Sequence, residues 1–121
     1  LGNGGTVIGN MRVQGALYTS YDIITAVPDG NLILTGSHLE HIIHYFHWSG
    51  GPGTYQVDLP NASGVDGINL SFSLGTDFTG GQSIDLIPPP PQTINGDASK
   101  TLNQHDVSYK IIAMDGNWFT I

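Results

Sequence analysis

The chain has 121 residues, of which 11% are charged, and it contains 17 glycines, 7 prolines and no cysteine. This length favours one domain, and so many glycines and prolines argue against a helical bundle. Because 3 basic residues oppose 10 acidic ones, the surface repels nucleic acid and anionic membranes. The lack of cysteine excludes disulfides, thiolate metal sites and a cysteine nucleophile. No apolar run approaches the roughly 18 residues of a membrane span, so we expect no membrane insertion.

The first 27 residues differ in pattern from the remainder. Apolar residues occupy alternate positions between Val7 and Leu17, and Gly9 and Gly15 interrupt the run. Such a strand has too few neighbours to build a core of its own. We therefore predict a shaft-like stem over residues 1–27, followed by a tip domain over residues 28–121.

Strand patterns separated by turns fill the tip domain. Apolar and polar residues alternate over 55–59, 68–74 and 107–111, which is typical of half-buried strands. Asp115-Gly116 predicts a tight hairpin that leads to a last strand. Pro88–Pro91 cannot lie inside a sheet, since proline donates no ladder hydrogen bond. This pattern predicts an all-β fold, a small antiparallel β-sandwich or jelly-roll-like tip.

Residues 37–48 are open to two interpretations. Ser37 and Glu40 have the spacing of a helix capping box, which favours a helix. The residues after His41 are mostly β-branched or aromatic, which favours a strand. We expect a single helical turn over 37–40 and then a strand from about His41 to Trp48.

Histidines recur at every third position, at His38, His41, His44 and His47. On a strand, His41 and His47 would face one way, about 20 Å apart, and His44 the other, so no two of them could chelate one ion within a chain. We predict ordinary hydrogen-bonding imidazoles and no metal or cofactor. The alternative is a three-fold axis at which each of three chains supplies one histidine ligand.

No catalytic grouping stands out. Most of the nine aspartates lie beside Gly or Pro or point outward from strands, as turn residues do. The chain has neither a nucleophile elbow nor a glycine-rich loop that precedes a helix. We predict that the chain is not an enzyme.

The order of the strand patterns resembles the small all-β modules at the C-terminal ends of bacteriophage tail fibres and related virion spikes. In the closing hairpin, an Asn-Trp pair comes shortly before the last residue, at Asn117 and Trp118. Residues 9–17 are similar to the strand repeats of fibre shafts. The segments that carry the resemblance in the tip are 31–37, 54–62, 68–74, 92–102, 107–112 and 115–121.

This resemblance implies a virion protein outside the host cell, an intertwined homotrimer that binds a host cell-surface glycan or protein receptor. A homotrimer would also cover the apolar side of the shaft strand. The alternatives are a purely structural trimerisation cap or decoration module of the virion, and an accessory domain of a polysaccharide-degrading tailspike.

Variable stretches of such tips often meet the receptor, which directs attention to the histidine- and aromatic-rich segment. An aromatic face can stack on the apolar side of a sugar ring. We expect Trp48→Ala to weaken cell adsorption without dissolving the trimer. The candidate receptor-binding residues are His41, His44, Tyr45, His47 and Trp48.

Overall fold

The computed structural model describes residues 20–121, which form two β-sheets. Two short 3-10 helices, Gly36–Glu40 and Ala62–Gly64, lie in the connections between strands. The strands are β1 (Tyr21–Ala26), β2 (Asn31–Ile33), β3 (Ile43–Trp48), β4 (Gly53–Asp58), β5 (Asn69–Leu74), β6 (Gln82–Ile87), β7 (Lys100–Leu102), β8 (Ser108–Met114) and β9 (Asn117–Thr120).

The chain alternates between the two sheets as far as β6. In the first sheet, β1, β3 and β5 pair in parallel, and in the second sheet β2, β4 and β6 do the same. Each coil of the chain thus adds one strand to each sheet, as in a β-solenoid. The remaining strands pair antiparallel: β7 joins β6, β8 joins β5 and β9 joins β8.

The prediction of an all-β fold is confirmed, but antiparallel pairing holds only for the last three strands. Residue alternation reveals that a segment is a strand and which face is buried. It does not reveal which strand lies alongside. The β8–β9 hairpin around Asp115 and Gly116 is confirmed, and so is the exclusion of Pro88–Pro91 from the strands.

Part of the predicted stem belongs to the tip. Strand β1 pairs with β3 along its whole length, and Ala26 is fully buried. Residues 21–26 are therefore a strand of the first sheet rather than a shaft. The rest of the predicted stem, residues 1–19, lies outside the described residues.

Alternate side chains of both sheets face each other and form one hydrophobic core. Burying each large apolar side chain contributes roughly 1.5–3 kcal/mol, so the contact between the two layers stabilises the fold. The core residues are Ala26, Leu34, Phe46, Trp48, Tyr55, Val57, Leu59, Ala62, Leu70, Phe72, Leu74, Phe78, Ile84, Leu86, Ile94, Ile111, Ala113 and Trp118.

The two interpretations of residues 37–48 each hold for part of the segment. A 3-10 helix begins at Gly36 and ends at Glu40, and β3 begins at Ile43. The mixed prediction of one helical turn followed by a strand is confirmed, with the strand starting two residues later than expected. Within residues 20–121 there is no helix with the length and apolar character of a membrane span.

Candidate functional site

The five candidate residues are divided between the two faces of β3 and the segment before it. Residues 44, 46 and 48 of β3 are buried, whereas Ile43 and Tyr45 are partly buried and His47 is exposed. His41 precedes the strand, where its ring bonds to the Ser20 hydroxyl. The predicted opposition of His44 and His47 on the strand is confirmed.

Two of the candidates lie inside the core. His44 is fully buried. Trp48 is 7% exposed; its ring packs edge-on against Phe78, and its Nε1 donates to the Gly51 carbonyl at 2.9 Å. Neither side chain can contact a receptor in this fold, because even-numbered residues of β3 point between the sheets. Trp48→Ala is therefore expected to affect folding rather than adsorption alone.

The outward candidates of β3 form a polar group with one residue from a neighbouring loop. The rings of Tyr45 and His47 meet edge to face, with centroids 5.0 Å apart. His47 Nδ1 lies 3.4 Å from Asp77 Oδ2. The other oxygen of that carboxylate, Oδ1, is shielded from solvent and has no hydrogen-bond partner among the described residues.

Gly75 allows these groups to converge. Its N–H donates to the Phe46 carbonyl at 2.8 Å, which holds the end of β5 beside β3. A Cβ at position 75 would lie 3.0 Å from the Tyr45 hydroxyl and 2.8 Å from Asp77 Oδ1. Because glycine has no side chain, the phenol and the carboxylate share the space above it.

An open cleft of about 270 Å³ adjoins Tyr45 on the outer side of the first sheet. We call it the Tyr45 cleft. Ser73 and Ser108 contribute hydroxyls that lie 3.2 Å apart across β5 and β8. The lining residues are Tyr45, Ser73, Leu74, Thr76, Asp106, Val107 and Ser108.

A second histidine–aspartate pair stands at the cleft. His105 Nδ1 lies 2.8 Å from Asp106 Oδ2 in the loop between β7 and β8. The lining set contains no lysine or arginine. Lys100 instead lies over the Tyr109 ring at 5.4 Å. The cleft thus offers the Asp106 carboxylate and several hydroxyls, with an aromatic ring at its wall, and the Asp77 carboxylate lies beside it.

This combination suits a ligand with many hydroxyl groups. A pyranose presents apolar C–H patches to an aromatic face and hydroxyls that donate to carboxylates. Hydrogen bonds to an ionised acceptor are roughly twice as strong as neutral ones. An anionic sugar would meet the carboxylates of Asp77 and Asp106 and the negative field of the chain, so a neutral or amino-bearing saccharide fits better.

The same sheet face is apolar beyond the cleft. Exposed and half-buried apolar side chains lie at the start of β1, near the start of β3 and after β9. We call this group the apolar patch. A groove runs through the patch beside Ile42, Ile43 and Ile121, and Lys110 stands at its rim. The apolar patch consists of Tyr21, Ile23, Ile42, Ile43 and Ile121.

Sequence reasoning missed the loop residues of the cleft. Asp77 follows β5 and Asp106 precedes β8; the sequence pattern indicates only a turn residue at Asp77 and does not single out Asp106 as a binding residue. Their convergence with Tyr45 depends on β3 and β8 both pairing with β5, which the residue pattern does not show. Across residues 20–121, no group of three or more His, Asp or Glu side chains is placed to hold a metal ion.

Comparison of the chain with family models, curated proteins and solved structures gives no match. The geometry of the cleft and of the sheet faces is therefore the basis for a functional proposal.

Proposed function

We propose that the chain is the receptor-binding tip of a bacteriophage tail fibre or spike, and that it binds a host cell-surface glycan through the Tyr45 cleft. The observation that carries the proposal is the convergence of Tyr45, His47 and Asp77 beside a hydroxyl-lined cleft. It combines an aromatic wall with the Asp106 carboxylate of the cleft lining and the Asp77 carboxylate beside it. These are the contacts that hold a saccharide.

The apolar patch supports the second part of the proposal, assembly into a homotrimer. Tyr21 and Ile23 are 60% and 55% exposed on neighbouring positions of one sheet face. Contiguous apolar surface of this kind marks an interaction site. Two further copies of the chain would cover the patch, and three Tyr45 clefts on one trimer would bind a repetitive glycan far more tightly than one.

The apolar patch alone also favours the structural alternative, a trimerisation cap or decoration module of the virion. Such a module needs the patch but not the Tyr45 cleft. The two functions therefore differ in whether a glycan binds at all.

Binding to an array of bacterial surface glycans tests the proposal. The wild-type protein is expected to bind neutral or amino-bearing saccharides in preference to acidic ones. Tyr45→Ala should bind at least about tenfold more weakly, because an aromatic contact contributes on the order of 1 kcal/mol in addition to the surface it covers. Tyr45→Phe should retain most of the binding, since the ring remains.

Gln56→Ala is the matched control. Gln56 is exposed on β4 of the second sheet and bonds to Asp58, so its removal should leave glycan binding unchanged. No binding to any glycan would favour the structural module. Binding that is equal in Tyr45→Ala and the wild type would place the site elsewhere.

A further inference from the structure

The His44 side chain is enclosed in the core without a hydrogen-bond partner. It is fully buried, and neither ring nitrogen has a partner among the described residues. The ring stacks on Phe72 of β5, with centroids 5.6 Å apart and an angle of 27° between the planes. Buried polar groups usually have partners, so this imidazole stands out.

Titratable groups surround His44 on the N-terminal side. Asp22 of β1 is paired in register with His44. His38 of the first 3-10 helix and His41 before β3 also influence the protonation of His44. On the other side, Tyr109 of β8 follows Phe72 in the sheet, and Lys100 lies over its ring. Asp22 would attract a proton on His44, whereas His38 and His41 would repel it.

Burial outweighs the attraction of Asp22. Desolvation lowers the pKa of His44 below the ordinary imidazole value, and the charges of His38 and His41 lower it further. The folded protein therefore holds His44 neutral at a pH at which an unfolded chain would begin to protonate it. Stability is then lost as the pH falls below about 6.5, the ordinary value.

Strand β1 is the part of the sheet that can move to let water reach His44. In the described structure β1 is an edge strand that pairs only with β3, whereas β3 is held between β1 and β5. The backbone carbonyl of Ser20 accepts from Ile42 and Ile43, and these bonds tie the start of β1 to β3. Edge elements of this kind open at lower free energy than central ones.

We propose that His44 is an acid-sensitive latch, which keeps β1 closed on β3 at neutral pH and opens this edge when it takes up a proton. Asp22, His38 and His41 are the charged or titratable groups that face it and tune the transition. Protonation places an imidazolium between the sheets, where the charge of Asp22 and the His41 backbone favour it but do not offset its burial. Opening of β1 lets water hydrate the charged imidazolium. The latch does not depend on glycan binding at the Tyr45 cleft.

Hydrogen exchange at about pH 7.5 and about pH 5, on either side of the ordinary imidazole pKa of about 6.5, tests the latch. After correction for intrinsic exchange, the opening of residues 21–26 in the wild-type protein should increase on acidification. The increase is limited to about tenfold per pH unit, the value for one proton. His44→Phe retains the stacked ring but cannot be protonated, so its β1 should open equally at both values.

His105→Asn is the control, because His105 lies in the loop before β8 and should leave the acid response intact. Equal opening of β1 in the wild type and His44→Phe at low pH would overturn the proposal. If His44→Phe does not fold, a pH titration of the wild-type imidazole signals by NMR decides. Protonation of His44 together with loss of β1 amide protection supports the latch, and protonation with full protection contradicts it.

Discussion

The outer faces of the two sheets differ in how their side chains are satisfied. On the second sheet, polar residues bond to one another across the strands. The Thr54 and Ser83 hydroxyls lie 2.9 Å apart, and Thr101 donates to Asp85 at 2.7 Å. The first sheet instead presents the apolar patch at one end and the Tyr45 cleft at the other.

This difference shows which sheet face has its polar side chains paired and which presents apolar side chains to solvent. Hydrogen bonds between neighbouring side chains pair the polar groups Thr54 with Ser83 and Asp85 with Thr101 on the second sheet, where Ile33 is the one large apolar side chain exposed on a described strand. The first sheet exposes tyrosine and isoleucine side chains, and beneath its surface lies the unpartnered Oδ1 of Asp77. Under the proposed function, further copies of the chain cover the patch and a ligand binds at the cleft. Three substitutions break or sharpen the comparison.

The largest effect is expected between the sheets, where Trp48→Ala leaves a cavity beside Phe78. Removing such a side chain costs about 3–5 kcal/mol of the free energy of unfolding. Thermal unfolding should therefore show a large drop in melting temperature. The variant should lose binding at the outer faces only where it is unfolded. An unchanged melting temperature together with lost adsorption would instead make Trp48 a binding residue.

The next effect is expected at the apolar patch. Ile23 on β1 and Ile33 on β2 are 55% and 58% exposed, each on an edge strand of its sheet, so they form a matched pair. Ile23→Glu would bury an unpaired charge between copies, which costs about 3–5 kcal/mol. Sedimentation should show a three-chain mass for the wild type and for Ile33→Glu, and a lower mass for Ile23→Glu. The reverse order would move the contact to the second sheet.

The smallest effect is expected at the cleft. Asp77→Asn keeps the shape of the side chain but removes the charge, and a hydrogen bond to a charged group contributes about 1.5–3 kcal/mol. Glycan titration should therefore show binding weakened by about tenfold to a hundredfold. The control is Asp85→Asn, at a carboxylate whose partner is Thr101. Equal weakening in both variants would point to net charge rather than the cleft.

Much of the fold could be predicted from residue alternation. The parity of β3 correctly opposed His44 to His47, and the spacing of Ser37 and Glu40 correctly indicated a helical turn before the strand, although the capping residue of that turn is Thr35. The direction of pairing could not be predicted, because each pair of parallel neighbours is separated in the chain by a strand of the other sheet. A local pattern contains no information about that partner.

The candidate site was predictable only in part, for the same reason. Tyr45 and His47 lie on the segment that the aromatic composition singled out. Trp48 belongs to the same segment, but its position in the strand places its side chain between the sheets. Asp77 and Asp106 come from loops that meet Tyr45 only in the folded sheet.

The most direct test of the binding face is a hydrogen-exchange footprint of the wild-type protein with the array glycan that it binds best. The account predicts slower exchange at residues 45–47, 75–77 and 105–108 and no change along β4 and β6. Protection confined to the second sheet would contradict this placement of the site, and so would the absence of binding to every glycan of the array.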